Sequence, residues 1–135
     1  MKQYEVLEHT GDFRIRAFGK TKEDLFLNAM LGMIAGLRPE IQGSESKIQN
    51  LKIKSYDLNA LLVDFLSEVL YLIQTNKVIY DKVEFIKLSD TEIEAELSGH
   101  NIERFGGDIK AATYHGLDIT KNNDGIWEAM ILFDV

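Results

Sequence analysis

The chain has 135 residues, of which 45% are hydrophobic and 27% are charged, a composition typical of one folded domain and not of a disordered segment. Its 15 Lys and Arg residues and 22 Asp and Glu residues give a net charge of −7, which argues against a broad nucleic-acid-binding face. The absence of cysteine excludes a disulfide scaffold and thiolate chemistry, and it favours a reducing compartment.

Two strands joined by a short polar stretch come first in the predicted structure. Residues 4–8 form the first strand, and Phe13, Ile15 and Ala17 alternate with arginines in the second. Asp12 stands at the entrance to the second strand, where a short carboxylate either accepts hydrogen bonds from its own turn or holds a cation. The residues leave both interpretations open, and the turn is the more common role.

Two amphipathic helices follow, each with a recognisable start. Thr21, with Asp24 three residues later, begins the first, and Gly36 and Pro39 mark its end. Asp57 is the N-cap of the second helix, whose apolar face is so wide that we expect deep burial. The apolar residues are Leu25, Phe26, Ala29, Met30, Met33, Ile34 and Leu37 in the first helix, and Leu58, Leu61, Leu62, Phe65, Leu66, Val69, Leu70, Leu72 and Ile73 in the second.

The remaining segments alternate as strands with one wet face do. Apolar residues recur near positions 51–53, 83–88 and 93–97, between charged ones. The turn sequence at 122–125 separates a predicted strand at residues 114–119 from a last strand at residues 127–133. Because helices and strands do not alternate regularly, we predict an α+β fold. It is a single domain over residues 1–135, with two helices packed on a largely antiparallel or mixed β-sheet.

Several common catalytic motifs are absent from the sequence. It contains no Gly-rich phosphate loop, no dinucleotide fingerprint and no nucleophile elbow. His9, His100 and His115 have a spacing that fits no local zinc pattern. The lysines near residues 47–54 and 82–87 lie among acidic residues, which indicates solvated strand faces, and Gly106-Gly107 indicates a flexible turn.

The C-terminus carries a second candidate for cation binding. Asp134 and the α-carboxylate of Val135 place two negative groups directly after an apolar strand. If that strand lies beside the one that follows Asp12, three carboxylates converge, and a divalent cation would relieve their repulsion. The alternative is a frayed acidic tail. The alternation of Trp127, Ala129, Ile131 and Phe133 argues against fraying, since these side chains should hold the end of the chain in the sheet.

A third polar stretch, residues 108–115, contains a lysine, a threonine, a tyrosine and a histidine within six positions. As a strand it would place Lys110, Ala112 and Tyr114 on one face. Its small alanines would let another chain or a phosphate approach closely, although an ordinary strand explains the pattern as well.

These stretches together resemble the archease family, in the same order and over the whole chain. The matching segments are His9-Thr10-Gly11-Asp12, the buried helix at residues 57–72, Ile109-Lys110-Ala111-Ala112-Thr113-Tyr114-His115 and the terminal Phe133-Asp134-Val135. Gly11 and Ala112 stand where relatives usually have alanine and valine, and a Lys-His pair common in relatives is missing from residues 101–107.

The resemblance implies an accessory protein without catalytic residues of its own. Archeases promote guanylylation and repeated turnover of the GTP-dependent RNA ligase that seals tRNA halves during splicing. The resemblance also implies a divalent metal ion, expected to be calcium, bound by Asp12, Asp134 and the terminal carboxylate of Val135. Lys110 aligns with a motif lysine implicated in function, and we group His115 and His9 with it as contacts to the partner or to a phosphate.

The expected partner is therefore the ligase, which an acidic protein can approach by charge complementarity, with tRNA reached only through the ligase. No apolar segment approaches the ~18 residues of a membrane span, so we expect a cytoplasmic protein that does not bind a membrane. Two alternatives stay open. One is a stand-alone metal-dependent phosphoester hydrolase, with His115 near the activated water. The other is an interaction module whose carboxylates only cap turns.

Overall fold

Two antiparallel β-sheets and two helices form the computed structural model, which describes residues 2–9 and 11–135. For residues 8, 9, 44 and 45 it describes the backbone only. In chain order the elements are β1 (Tyr4–His9), β2 (Asp12–Gly19), α1 (Lys22–Leu37), β3 (Pro39–Lys54), α2 (Leu58–Asn76), β4 (Val78–Leu88), β5 (Glu92–Phe105), β6 (Ala111–Ala112), β7 (Thr120–Lys121) and β8 (Trp127–Asp134).

The strands divide into two sheets where the sequence predicted one. The first sheet has the order β1-β2-β8-β6, and β7 pairs with the other end of β8. The second has the order β3-β5-β4. Every pairing between described strands is antiparallel, so the predicted α+β class is confirmed and its largely antiparallel variant is the one observed.

Both predicted helix starts are confirmed by their caps. The Thr21 side chain accepts a hydrogen bond from the Asp24 backbone N–H at 3.1 Å, and Asp57 accepts one from Ala60 at 2.8 Å. The predicted end of α1 is also confirmed. The helix ends at Leu37, between Gly36 and Pro39, and Arg38 takes the left-handed C-cap conformation at φ 44°.

The second helix, α2, is the core of the domain. By its 19 residues and mean hydropathy of 1.3 it is long and apolar enough to cross a membrane. Half of this apolar stretch is buried inside the fold. The centre of the Phe65 ring lies 5.7 Å from that of Phe26 in α1 and 5.9 Å from that of Phe85 in β4. These contacts identify a buried core helix of the kind that its wide apolar face predicted.

The predicted strand at residues 114–119 is wrong. The chain turns there, with Gly116 at φ 69° and the Leu117 N–H donating to the Tyr114 carbonyl at 3.1 Å. The Ile119 N–H donates at 3.0 Å to the Asn59 side chain on α2. A backbone group that a strand would pair with the sheet is thus satisfied by the helix, which the alternation of apolar residues does not reveal.

The pair Gly106-Gly107 forms a hydrogen-bonded bend against the end of α1. The two amides donate to the carbonyls of Arg38 and Leu37 at 2.8 and 2.9 Å. A Cβ at Gly107 would lie 2.2 Å from the carbonyl oxygen of Gly36, so glycine is needed for this close approach. The bend therefore fixes the path of the segment that leads to Lys110.

Candidate metal centre

The paired ends of β2 and β8 bring two aspartates to one edge of the first sheet. Phe13 faces Phe133 in the register, so the next pair along, Asp12 and Asp134, occupies facing positions at the strand ends. The two phenylalanine rings lie 5.6 Å apart on the side of the core. Because side chains alternate along a strand, the aspartates project from the outer face. The last strand, β8, thus lies beside β2. This is the arrangement required for the carboxylates to converge.

The donors at this edge are oxygens with different exposure. The Asp12 side chain is 25% exposed and contacts Arg14, whose Nη2 lies 3.3 Å from Oδ2, whereas Asp134 is exposed. Val135, which carries the terminal carboxylate, is 47% exposed. No three His, Cys, Asp or Glu side chains among the described residues gather into a metal-binding group. A third donor would have to be a group of another kind, such as the terminal carboxylate, and carboxylate oxygens of this type are ligands for a hard cation.

The segment that carries Lys110 lies beside this edge. Ala111 pairs with Asp134 in β6, and the Lys110 N–H donates to the Asp134 carbonyl at 2.7 Å. The predicted sharing of one face by Lys110, Ala112 and Tyr114 is wrong, since Ala112 is buried while the other two are exposed. The strand lasts only two residues, so its alternation ends before Tyr114.

Polar side chains of α2 hold this segment in place. The Gln74 amide donates to the Ile109 carbonyl at 2.9 Å, and the Tyr114 hydroxyl donates to Oδ1 of Asp64 at 2.7 Å. Ser55 donates to the other oxygen of Asp64 at 2.5 Å. Sequence reasoning assigned Asp64 only to the exposed strip of α2 and missed Gln74. The sequence does contain a feature that could have identified Asp64 and Gln74: both are polar side chains on a helix with an unusually wide apolar face.

The hydrogen bond to Asp64 changes the acidity of Tyr114. It raises the pKa of the Tyr114 hydroxyl to about 12, with burial and the charge of Asp64 adding to the effect. The hydroxyl therefore stays protonated and remains a donor to Asp64 at neutral pH.

The two histidines predicted as contacts are placed unequally. The backbone of His9 pairs with Asp12 between β1 and β2, but its side chain and all of Thr10 lie outside the described residues. His115 is exposed in the turn after Tyr114, and its N–H donates to the Thr113 hydroxyl at 3.3 Å.

Comparison with known proteins gives consistent matches over the whole chain. The model of the archease protein family (MTH1598/TM1083) matches residues 4–135. Protein archease of Methanosarcina barkeri is 38% identical over 142 residues, covering 99% of this chain and 97% of that protein. Protein archease of Thermococcus kodakarensis is 29% identical over 143 residues, covering 100% of both.

Two solved structures share the fold. Protein 1598 of Methanobacterium thermoautotrophicum superposes with a TM-score of 0.72 at 24% identity and covers 100% of both chains. An archease of Thermotoga maritima, described as a possible chaperone, superposes with a TM-score of 0.71 at 20% identity, covering 96% of this chain and 94% of that one.

The Tyr114–Asp64 hydrogen bond predicts a late-ionising tyrosine. In a titration followed by tyrosinate absorbance, Tyr114→Phe should remove a transition near pH 12, and Asp64→Asn should shift it towards 10. The stabilisation from this pair should be present below about pH 10 and be lost as the pH rises towards 12, because the protonated hydroxyl is the favoured form. Asp57→Asn is the matched control, since the charge of Asp57 raises the pKa of Tyr114 less than Asp64 does. An unchanged titration of Asp64→Asn would contradict the assignment.

Proposed function

The chain belongs to the archease family, and from this premise we propose that it is an accessory protein of a GTP-dependent RNA ligase. It promotes guanylylation of the ligase and its repeated turnover in tRNA splicing. It is an activator and not itself an enzyme, it acts in the cytoplasm, and it meets tRNA only through the ligase.

The register between β2 and β8 is the observation that carries this proposal. Asp12 and Asp134 are the next residues along the two strands after the paired Phe13 and Phe133, and like charges on adjacent strands repel. A divalent cation offsets that repulsion, and we assign calcium to Asp12, Asp134 and the terminal carboxylate of Val135. When bound, the ion supplies positive charge for positioning anionic groups such as phosphates.

The neighbouring residues supply the contacts to the partner. Lys110 is exposed, and its backbone is tied to the strand end that carries Asp134, so its ammonium group can reach a phosphate or an acidic residue of the ligase. His115 and His9 are further candidates for such contacts. A net charge of −7 favours docking on a basic protein surface over direct competition for RNA.

Calcium binding should depend on both aspartates. Asp12→Asn and Asp134→Asn should each weaken calcium binding by about tenfold or more, because each removes a charged oxygen ligand. Isothermal titration calorimetry measures the effect. Asp124→Asn, which makes the same charge change in the exposed turn before β8, should leave the affinity unchanged. Equal affinities for all four proteins would contradict the assignment of the ligands.

Removal of Arg14 should have the opposite effect. Its guanidinium lies 3.3 Å from Asp12 and competes electrostatically with a cation. Arg14→Leu should strengthen calcium binding about fivefold, from roughly 1 kcal/mol for a unit charge near 4 Å in a water-like dielectric. Arg16→Leu is the control, because Arg16 faces Glu5 and Met130 one outward position further along β2. Weaker calcium binding by Arg14→Leu would argue against this electrostatic picture.

Stimulation of the ligase tests the function itself. Asp12→Ala, Asp134→Ala and Lys110→Ala should each reduce guanylylation of the ligase and its number of turnovers, measured with GTP and tRNA halves. Unaltered stimulation by all three folded variants would reject the proposal. Hydrolysis of a generic phosphoester by the isolated chain, abolished by chelation, would instead assign it to the hydrolase alternative.

A further inference from the structure

Three tyrosines are exposed on one side of the molecule. Tyr56, Tyr71 and Tyr114 are 81%, 60% and 52% exposed, and they are the only exposed aromatic side chains among the described residues. Tyr114 bonds Asp64, and Tyr71 lies two turns further along the same helix, on the wall of one open cleft of about 590 Å³ that Asp64 also lines. Tyr56 directly follows Ser55, whose hydroxyl donates to the same Asp64 carboxylate at 2.5 Å. We call Tyr56, Tyr71, Tyr114 and Asp64 the tyrosine face.

Clustered exposed rings are unusual on a protein that binds nothing there. Single apolar side chains at the surface are common, but a contiguous group marks an interaction site. Each tyrosine offers a large, stiff surface that loses little conformational entropy on binding, which is why tyrosine is enriched in binding hot spots.

Carboxylates lie near these rings and indicate which charge a partner would carry. Asp57, Asp64 and Glu68 make no ion pair with any residue that the structure describes. Lys52 and Lys54 line the same cleft, but each lies 3.9 Å from a carboxylate of β5, Glu94 and Glu92 respectively. The face therefore combines aromatic rings with carboxylates that form no ion pair of their own among the described residues.

We propose that the tyrosine face docks an arginine-bearing surface of a protein partner. A guanidinium group stacks on an aromatic ring and bonds a carboxylate with its planar fork, so it satisfies both features at once. Single-stranded RNA could stack bases on the same rings, but its phosphates would meet the three carboxylates.

The face is pre-organised and continuous with the candidate metal centre. The hydroxyls of Tyr114 and Ser55 fix both oxygens of Asp64, which lowers the ordering cost of binding. Tyr114 also belongs to the segment that starts at Lys110 and pairs with the end of β8. The inference rests on the proposed function because it takes the same RNA ligase as the partner.

The test measures the Kd between purified ligase and the full chain with calcium present. The double variant Tyr56→Ala/Tyr71→Ala should raise the Kd about tenfold or more, as loss of two hot-spot rings does. Tyr56→Phe/Tyr71→Phe, which keeps the rings, should bind as the wild type does. Ile86→Ala, which truncates a side chain that is 66% exposed on β4, controls for loss of any exposed apolar group.

A charge-only variant provides a second measurement that does not alter packing. Glu68→Gln should weaken binding severalfold, and the loss should shrink at high salt, because the carboxylate acts on a guanidinium through charge. Wild-type affinity in both the alanine double variant and Glu68→Gln, with ligase still bound and stimulated, would overturn this inference alone. Failure of the wild type to bind ligase would overturn the proposed function with it. Binding of labelled single-stranded RNA by the chain alone, lost in the alanine variant, would assign the face to RNA and overturn the protein partner.

Discussion

β2 and β8 pair over seven residues, and the apolar side chains between them and the helices set the register. Ile15 faces Ile131, both fully buried, and the Phe13 ring contacts Phe133. A slip of one residue would turn the buried side chains outward and force Asp134 towards the core, at a cost that no surface interaction could offset. The facing of Asp12 and Asp134 is therefore imposed by core packing and does not require attraction between the carboxylates, which repel each other.

The helix α2 both packs in the core and positions a polar segment at the surface. Its apolar face packs against strands of both sheets, while Asp64 and Gln74 at the margins of that face hold the segment from Ile109 to Tyr114. β6 contributes only two strand residues, so the position of this segment depends on the helix as much as on the sheet. A change in the margin of α2 would therefore be transmitted to Lys110 and to the strand end that bears Asp134.

The sequence predicts those features that depend on local periodicity and fails where tertiary contacts intervene. Thr21 and Asp57 identify the helix starts because a cap is a local interaction. The sequence does not predict the full lengths of β3 and β5. Register shifts near Ile41 interrupt β3, and β5 continues from Leu97 through small and polar residues that do not alternate with apolar ones. Periodicity also could not say which strands pair, so the placement of Asp12 beside Asp134 followed from family likeness and a conditional argument, and only the structure supplies the register.

The distribution of charge connects the candidate metal centre with the tyrosine face. On the outer face of the second sheet, Lys87 and Glu92 lie 2.6 Å apart, so positive and negative groups there largely balance. At the end of the first sheet, Arg14 contacts Asp12 while Asp134 is exposed, and along α2 Asp64 and Glu68 make no ion pair among the described residues. A divalent ion at the first site and a guanidinium group at the second would each offset like-charge repulsion that the fold itself maintains. On both proposals the sites select for positive charge in what they bind, and the net charge of −7 would then have a role in recognition beyond solubility.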